Sequence, residues 1–121
     1  MKEFNIEFYE KLDGECPIED FLIRLDTKMR AKILGMMGIL QEKGNLLREP
    51  YSKHVGDGIF ELRVKVGSDI CRVLYFFGYS GETICTNGFI KKTQKTPKQE
   101  IEKAKRCRKD YMERCEKDEK I

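Results

Sequence analysis

Hydrophobic and polar residues alternate with a period of two near the start of the chain. Phe4, Ile6 and Phe8 are separated by polar residues, which predicts a half-buried β-strand. The period then changes, because Pro17 suits the first turn of a helix and apolar residues recur at helical spacing as far as Leu25. The pattern predicts one strand followed by a short helix over about residues 17–25.

A second helix is predicted to follow, with Asp26 or Thr27 as its cap. Its end is expected at Gly44, which is free to adopt positive φ. Gly35 and Gly38 lie inside this helix, and we expect such small residues to let another element approach closely. Its apolar stripe consists of Met29, Ile33, Met36, Met37 and Leu40.

Strand patterns return in the middle of the chain, after a polar stretch at residues 45–58 whose Pro50, Gly56 and Gly58 predict a loop. From residue 59 onwards apolar side chains alternate with Glu61, Arg63 and Lys65, which predicts a strand with one wet, basic face. A tight turn at Gly67 favours antiparallel pairing with the next strand. The three strands of the resulting meander are predicted at residues 59–66, 70–77 and 83–90.

The last helix has a clear start signal. Thr96 and Gln99 have the spacing of a capping box, and Pro97 suits the first helical position. Its apolar stripe consists of Ile101, Ala104, Cys107, Tyr111 and Cys115. The predicted order is therefore strand, two helices, three antiparallel strands and one helix, which is an α+β fold.

Composition limits the size and class of the protein. A chain of 121 residues with 40% hydrophobic residues is expected to form one domain with a modest core. The net charge is only +3, but residues 91–121 contain twelve Lys or Arg and seven Asp or Glu residues, a local balance of +5. This uneven distribution is expected if one surface meets phosphate groups.

The five cysteines are odd in number and show no metal-binding spacing, which argues against a disulfide framework and against a zinc site. No segment approaches the roughly 18 consecutive apolar residues of a membrane span. We therefore expect no metal and no membrane, and a reducing cytoplasm as the location.

Three segments carry a resemblance to a known family. They read GIFELR at residues 58–63, CRVLYF at 71–76 and GFIKKTQKTP at 88–97. In this order they resemble the HigB-like, phage-derived branch of the RelE/ParE toxin superfamily, over roughly residues 50–112. The resemblance implies a RelE-like fold and the toxin of a type II toxin–antitoxin system.

The resemblance also implies a reaction and its partners. Such toxins cleave messenger RNA on the ribosome without a metal or other cofactor, and a cognate antitoxin, often a helix-turn-helix protein, silences them. The ribose 2′ hydroxyl attacks the adjacent phosphorus, so a base must take its proton, cations must stabilise the phosphorane and an acid must protonate the leaving oxygen.

Arg72 matches the family's Arg-x-x-Tyr position and is the first candidate for stabilising the phosphorane, since the planar guanidinium group binds phosphate oxygens bidentately. Arg63 matches the Glu-Leu-Arg motif and would line the same face if the strands pair as predicted. Either arginine could instead form an ion pair with a carboxylate such as Glu61.

The remaining candidates are mostly lysines. Lys91 and Lys92 match the end of the last strand, where the family has catalytic or phosphate-binding side chains, and alternation would bring only one of them into the site. His54 could transfer protons, although an ordinary loop histidine is the favoured interpretation, and Tyr75 could be a core residue. The expected RNA contacts are Lys53, His54, Lys65 and Lys95, and the general base is not identified.

Two other functions remain open at this point. The chain could be a non-enzymatic member of the superfamily that inhibits DNA gyrase by binding, as the ParE branch does. It could also be a simple RNA-binding module, which the charge distribution alone would support.

Overall fold

The structure is a computed structural model that describes residues 5–91 and 95–119. Its helices and strands, in chain order, are β1 (Ile6–Phe8), α1 (Pro17–Ile23), α2 (Thr27–Lys43), β2 (Ser52–Gly56), β3 (Ile59–Val66), β4 (Asp69–Phe77), β5 (Thr83–Lys91) and α3 (Lys98–Glu119). The predicted α+β class and the predicted order of elements are confirmed, with one strand added. The arrangement is consistent with the RelE-like fold that the resemblance implies.

The strands form one sheet in the order β1-β5-β4-β3-β2. Neighbouring strands are antiparallel, except that β1 lies parallel to β5. Parallel neighbours need a long connection, and here both helices of the N-terminal half and three strands intervene between them. This topology leaves β2 at one edge of the sheet, beside β3.

β2 corrects the prediction of a loop at residues 45–58. Ser52–Gly56 pairs with β3, and Lys53 lies opposite Glu61. Val55 is the only β-branched residue of this segment, so its own strand propensity is low. The segment is a strand because it pairs with β3. The pattern of residues within the segment does not show that such a pairing partner is present.

The ends of α2 form as predicted. The Asp26 side chain accepts a hydrogen bond from the Met29 backbone nitrogen at 2.8 Å, and Gly44 ends the helix with a φ of 55°. The start of α3 differs, because the helix begins at Lys98 and the Thr96 hydroxyl, predicted as its cap, donates a hydrogen bond to Glu61 of β3. Thr96 therefore ties the segment before α3 to the sheet.

The expectation of a close approach at Gly35 and Gly38 is wrong. A Cβ atom added at either position would meet nothing within 4 Å. The close approach occurs at Gly88 in β5, where an added Cβ would lie 2.4 Å from the Phe21 ring of α1. Gly88 therefore lets α1 pack directly on the sheet.

Two hydrophobic cores lie on opposite faces of the sheet. The first lies under α1 and α2 and includes Ile18, Ile33, Leu40, Leu62 and Val73. The second lies under α3 and includes Ile59, Leu74, Phe76, Ile84 and Ala104. We call the sheet face that bears the second core the α3 face.

The basic side of β3 that the sequence predicts lies on the α3 face of the sheet, and it is only partly exposed to solvent. Glu61 is fully buried, the Arg63 side chain is 25% exposed, and Lys65 is exposed. Thr96 contacts Glu61 and so contributes to its burial. Exposure on this face therefore increases along β3 from Glu61 to Lys65.

Among the described residues, no helix is both long enough and apolar enough to cross a membrane. The 22 residues of α3 would be long enough, but they are densely charged.

Candidate functional site

Arg63 and Arg72 lie directly opposite each other on β3 and β4. Directly opposite residues of antiparallel strands point to the same face, with Cβ atoms about 5 Å apart. The prediction that the two arginines share a face is confirmed. Two like charges at this distance repel each other, so a neighbouring group must offset the repulsion.

Glu61 supplies that offset. Its Oε2 accepts hydrogen bonds from Arg72 Nη1 at 2.6 Å and from Arg63 Nε at 3.1 Å, while Thr96 donates to Oε1. Burial by itself raises the pKa of the Glu61 carboxyl, but the hydrogen bonds from Thr96 and Arg63 and the charge of Arg72 outweigh it and hold the pKa below its ordinary value. Glu61 is therefore a buried carboxylate that fixes two guanidinium groups and leaves the three side chains with one net positive charge.

Arg72 is the more deeply buried arginine. Its side chain is 4% exposed, and its Nε has no hydrogen-bond partner among the described residues. A buried donor without a partner costs about 1–3 kcal/mol, so such a group calls for an explanation. The ion pair with Glu61, considered above as an alternative role for both arginines, is present, and it does not use the whole hydrogen-bonding capacity of Arg72.

A groove of about 650 Å³ opens beside the arginines, where β3 extends beyond the start of β2. Its cationic lining residues are Lys32, Lys53, Arg63, Lys65 and Arg72. Its other lining residues are Met36, Pro50, Tyr51, Val64 and Ile70, so within the described chain no lining residue is acidic. A concave surface lined by one sign of charge attracts ligands of the opposite sign, here a polyanion.

Six groove residues were not predicted as site residues, and two of them, Lys32 of α2 and Tyr51, make hydrogen bonds at the open edge of β3. Lys32 Nζ donates a hydrogen bond to the Lys65 backbone oxygen at 2.5 Å, at the β3 edge that β2 does not cover. The Tyr51 carbonyl oxygen accepts a hydrogen bond from the Arg63 backbone nitrogen at 2.8 Å. The spacing of Lys32 and Met36 puts both on one side of α2, but helical spacing does not reveal that this side meets the edge of a sheet.

The structure brings two of the predicted lysines, Lys53 and Lys65, into the groove, where both are exposed. Lys91 ends β5 and pairs in register with Ile70, a lining residue of the groove. Lys95 is exposed, next to Thr96. Lys92 lies outside the described residues.

His54 lies on the opposite sheet face from the arginines. It pairs in register with Phe60, with the two rings 5.1 Å apart, and its Nε2 accepts a hydrogen bond from the Gly58 backbone nitrogen at 3.1 Å. Successive residues of β3 alternate between faces, so Phe60 and Arg63 point in opposite directions. Tyr75 is a core residue, hydrogen-bonded to Ser52, and burial raises its pKa.

The five cysteines are free, and four of them are buried. Burial raises the pKa of Cys71 to about 11 and that of Cys85 to about 12. These thiols stay protonated at neutral pH and act as small core residues. In the part of the chain that the structure describes, no cluster of three or more His, Cys, Asp or Glu residues is placed to hold a metal ion.

A family model matches residues 20–109, which is most of the chain. Its description is "Phage derived protein Gp49-like (DUF891)". The chain belongs to the Gp49-like family. This Gp49-like chain has no match among curated proteins.

The Gp49-like family is associated with RelE-type toxins. The matched residues of this Gp49-like chain include the whole groove from Lys32 to Arg72, together with Glu61 and Thr96. β1 and the end of α3 lie outside the match. The family assignment therefore covers the candidate site and most of the fold.

Proposed function

We propose that this Gp49-like protein is the toxin of a type II toxin–antitoxin system, of the HigB-like kind, and that it cleaves messenger RNA on the ribosome. The observation that carries the proposal is the pair of arginines fixed by a buried carboxylate beside a groove with five cationic side chains. A groove of this charge suits the backbone of single-stranded RNA.

The proposed reaction is attack of a ribose 2′ oxygen on the adjacent phosphorus. The bond to the 5′ oxygen of the next nucleotide breaks, and the products end in a 2′,3′-cyclic phosphate and a 5′ hydroxyl. Arg63 and Arg72 stabilise the extra negative charge of the phosphorane, and Lys53 and Lys65 bind the flanking phosphates.

Glu61 holds the arginines in place and is not the base. Both of its oxygens already accept hydrogen bonds, and the residue is fully buried. A lowered pKa also makes it a weak proton acceptor. By the family's pattern, Lys91 and Lys92 remain candidate catalytic or phosphate-binding residues, and Lys95 remains a candidate RNA contact.

A toxin with an open cationic groove needs an inhibitor in a resting cell. We propose an antitoxin, either an acidic protein or a helix-turn-helix protein, encoded beside this gene. Co-purification with the product of the neighbouring gene tests this, and failure to recover any complex would count against the assignment.

The direct test of the ribonuclease is induced expression in bacteria followed by mapping of RNA ends. Wild-type protein should arrest growth and cut messages, and Arg63→Ala should slow cutting by at least about 100-fold, as removal of a transition-state donor does. Arg106→Ala is the matched control, because Arg106 is exposed on α3 and does not line the groove.

Arg72 needs a milder variant, because Arg72→Ala would remove the shorter of the two hydrogen bonds that Glu61 accepts from arginines. Arg72→Lys keeps a positive charge beside Glu61 but loses the planar guanidinium group that can bind a phosphate bidentately. It should slow cutting by at least about tenfold. Thermal unfolding checks that the variant is folded. Growth arrest with intact messages would contradict the proposal, and inhibition of purified gyrase in a supercoiling assay would then favour the ParE-like alternative.

A further inference from the structure

Tyr51 lies beside the arginine pair but has no part in the reaction proposed above. Its backbone oxygen accepts a hydrogen bond from the Arg63 backbone nitrogen, and the residue lines the groove that Arg63 and Arg72 also line. The residue is 52% exposed. An aromatic ring is thus held open to solvent next to the cations.

The surroundings of Tyr51 are partly apolar. Met36, Pro50 and Ile70 line the same groove, and Lys32 lies on the α2 side of it. Phe89 provides a contrast: it pairs in register with Arg72 on the other side, but its ring packs against the second core under α3. Tyr51 and Phe89 both neighbour the arginines, and of the two it is Tyr51 that is exposed to solvent.

A planar apolar ring next to five cations matches the chemistry of one nucleotide of single-stranded RNA. Aromatic side chains stack on bases, and lysines and arginines neutralise the phosphates on either side. A peptide segment of acidic residues alone would satisfy the charges but would leave Tyr51 and the apolar lining residues without a matching group, whereas each nucleotide carries both a phosphate and a base. The combination therefore favours RNA over a protein segment.

We propose that the groove contains a nucleotide subsite in which Tyr51 stacks on a base and Lys32 binds a phosphate. The base belongs to a nucleotide next to the phosphate held by Arg63 and Arg72. The position of this nucleotide relative to the cleaved phosphate rests on the proposed ribonuclease function. The stacking of a base on Tyr51 does not depend on that function.

The test uses full-length protein and a short single-stranded RNA whose 2′ hydroxyls are methylated, so that it cannot be cleaved by 2′ attack. One 2-aminopurine base in this RNA reports stacking through its fluorescence. Tyr51→Ala should weaken binding about tenfold and remove the fluorescence change, whereas Tyr51→Phe, which keeps the ring, should bind within about twofold of wild type. Tyr79→Ala is the control, since Tyr79 is an exposed tyrosine outside the groove.

The phosphate contact has its own readout. Lys32→Ala should lower the slope of log affinity against log salt by about 0.7, the value for one phosphate contact on a single strand. Lys28→Ala, an exposed lysine of the same helix outside the groove, should leave the slope unchanged.

Equal binding by wild type and Tyr51→Ala would overturn the subsite, and so would a loss in Tyr51→Phe as large as in Tyr51→Ala. Absence of binding by the wild-type protein would overturn it as well. If the RNA stacks on Tyr51 but no message is cut in cells, the proposed ribonuclease fails and the subsite stands. If messages are cut and Tyr51→Ala binds normally, only the subsite fails.

Discussion

At the scale of single residues, Glu61 determines what Arg63 and Arg72 can do. The two guanidinium groups lie opposite each other and would repel without it, and its carboxylate fixes one nitrogen of each at 2.6 and 3.1 Å. Glu61 therefore positions both guanidinium groups before a ligand binds. Positioned charges stabilise a transition state without reorganisation, which is where most of their catalytic effect comes from.

The folded Glu61 carboxyl has a pKa below its ordinary value of 4.5, so near that pH the folded state binds fewer protons than the unfolded state. Its contribution to stability is therefore complete above about pH 4.5 and is lost as the pH falls through the lower folded pKa. Glu61→Gln should lower the free energy of unfolding at pH 7 by about 3 kcal/mol, the cost of breaking a buried ion pair.

Denaturant unfolding of wild type and variant across pH measures both effects. The difference between the two proteins should shrink in acid, and Glu113→Gln, an exposed carboxylate on α3, should show no such difference. The variant must be compared directly, because the pKa values of Asp57 and Asp110 are also lowered. An equal loss of stability at every pH would contradict the role given to Glu61.

The sequence was sufficient to predict that Arg63 and Arg72 share a face, because strand period and turn position determine it. It was not sufficient to predict that Glu61 is buried between them. That depends on Thr96, which lies 35 positions further along the chain and reaches back to the sheet. Contacts of this kind arise only when the third helix packs.

At the scale of elements, most strands and helices follow from their own patterns, and β2 is the exception. β3 and β4 carry enough alternating apolar residues to be recognised alone, whereas Ser52–Gly56 is a strand because β3 offers it hydrogen bonds. The position of β2 also affects the candidate site. The residue at which β2 starts determines which part of the β3 edge is unpaired, and the groove lies at that unpaired edge.

The glycines of α2 and β5 should respond in opposite ways to substitution by alanine. Gly35→Ala should raise the free energy of unfolding by about 0.5–1 kcal/mol, because it removes a helix-interior glycine and the added methyl meets nothing within 4 Å. Gly88→Ala should lower it by about 1–3 kcal/mol, because the methyl would collide with Phe21. Denaturant unfolding measures both, and a loss of stability in Gly35→Ala would show that α2 does have a close neighbour there.

At the scale of the whole molecule, charge is distributed differently in space than along the chain. Residues 91–121 hold the excess of basic residues, yet the described groove is lined by cations from residues 32–72. α2, β2, β3 and β4 each contribute at least one of them. Composition along the sequence therefore indicated a basic surface without locating this groove.

Binding of single-stranded RNA should reflect these local cations and not the net charge of +3. With four or five phosphate contacts, raising monovalent salt from about 50 to about 200 mM should weaken binding about 50- to 130-fold. Fluorescence anisotropy with a labelled, 2′-methylated RNA measures this. A change of only a few-fold would mean that the groove does not take up the RNA backbone.

In the proposed reaction, a ribose 2′ hydroxyl attacks the neighbouring phosphorus while Arg63 and Arg72 stabilise the charge. The most direct measurement uses a ribosome-bound message in which the nucleotide before a mapped cut carries a single 2′-deoxy substitution. Cutting at that bond should disappear, while the unmodified message should yield a 2′,3′-cyclic phosphate and a 5′ hydroxyl. Continued cutting of the 2′-deoxy message at the same bond would contradict the mechanism.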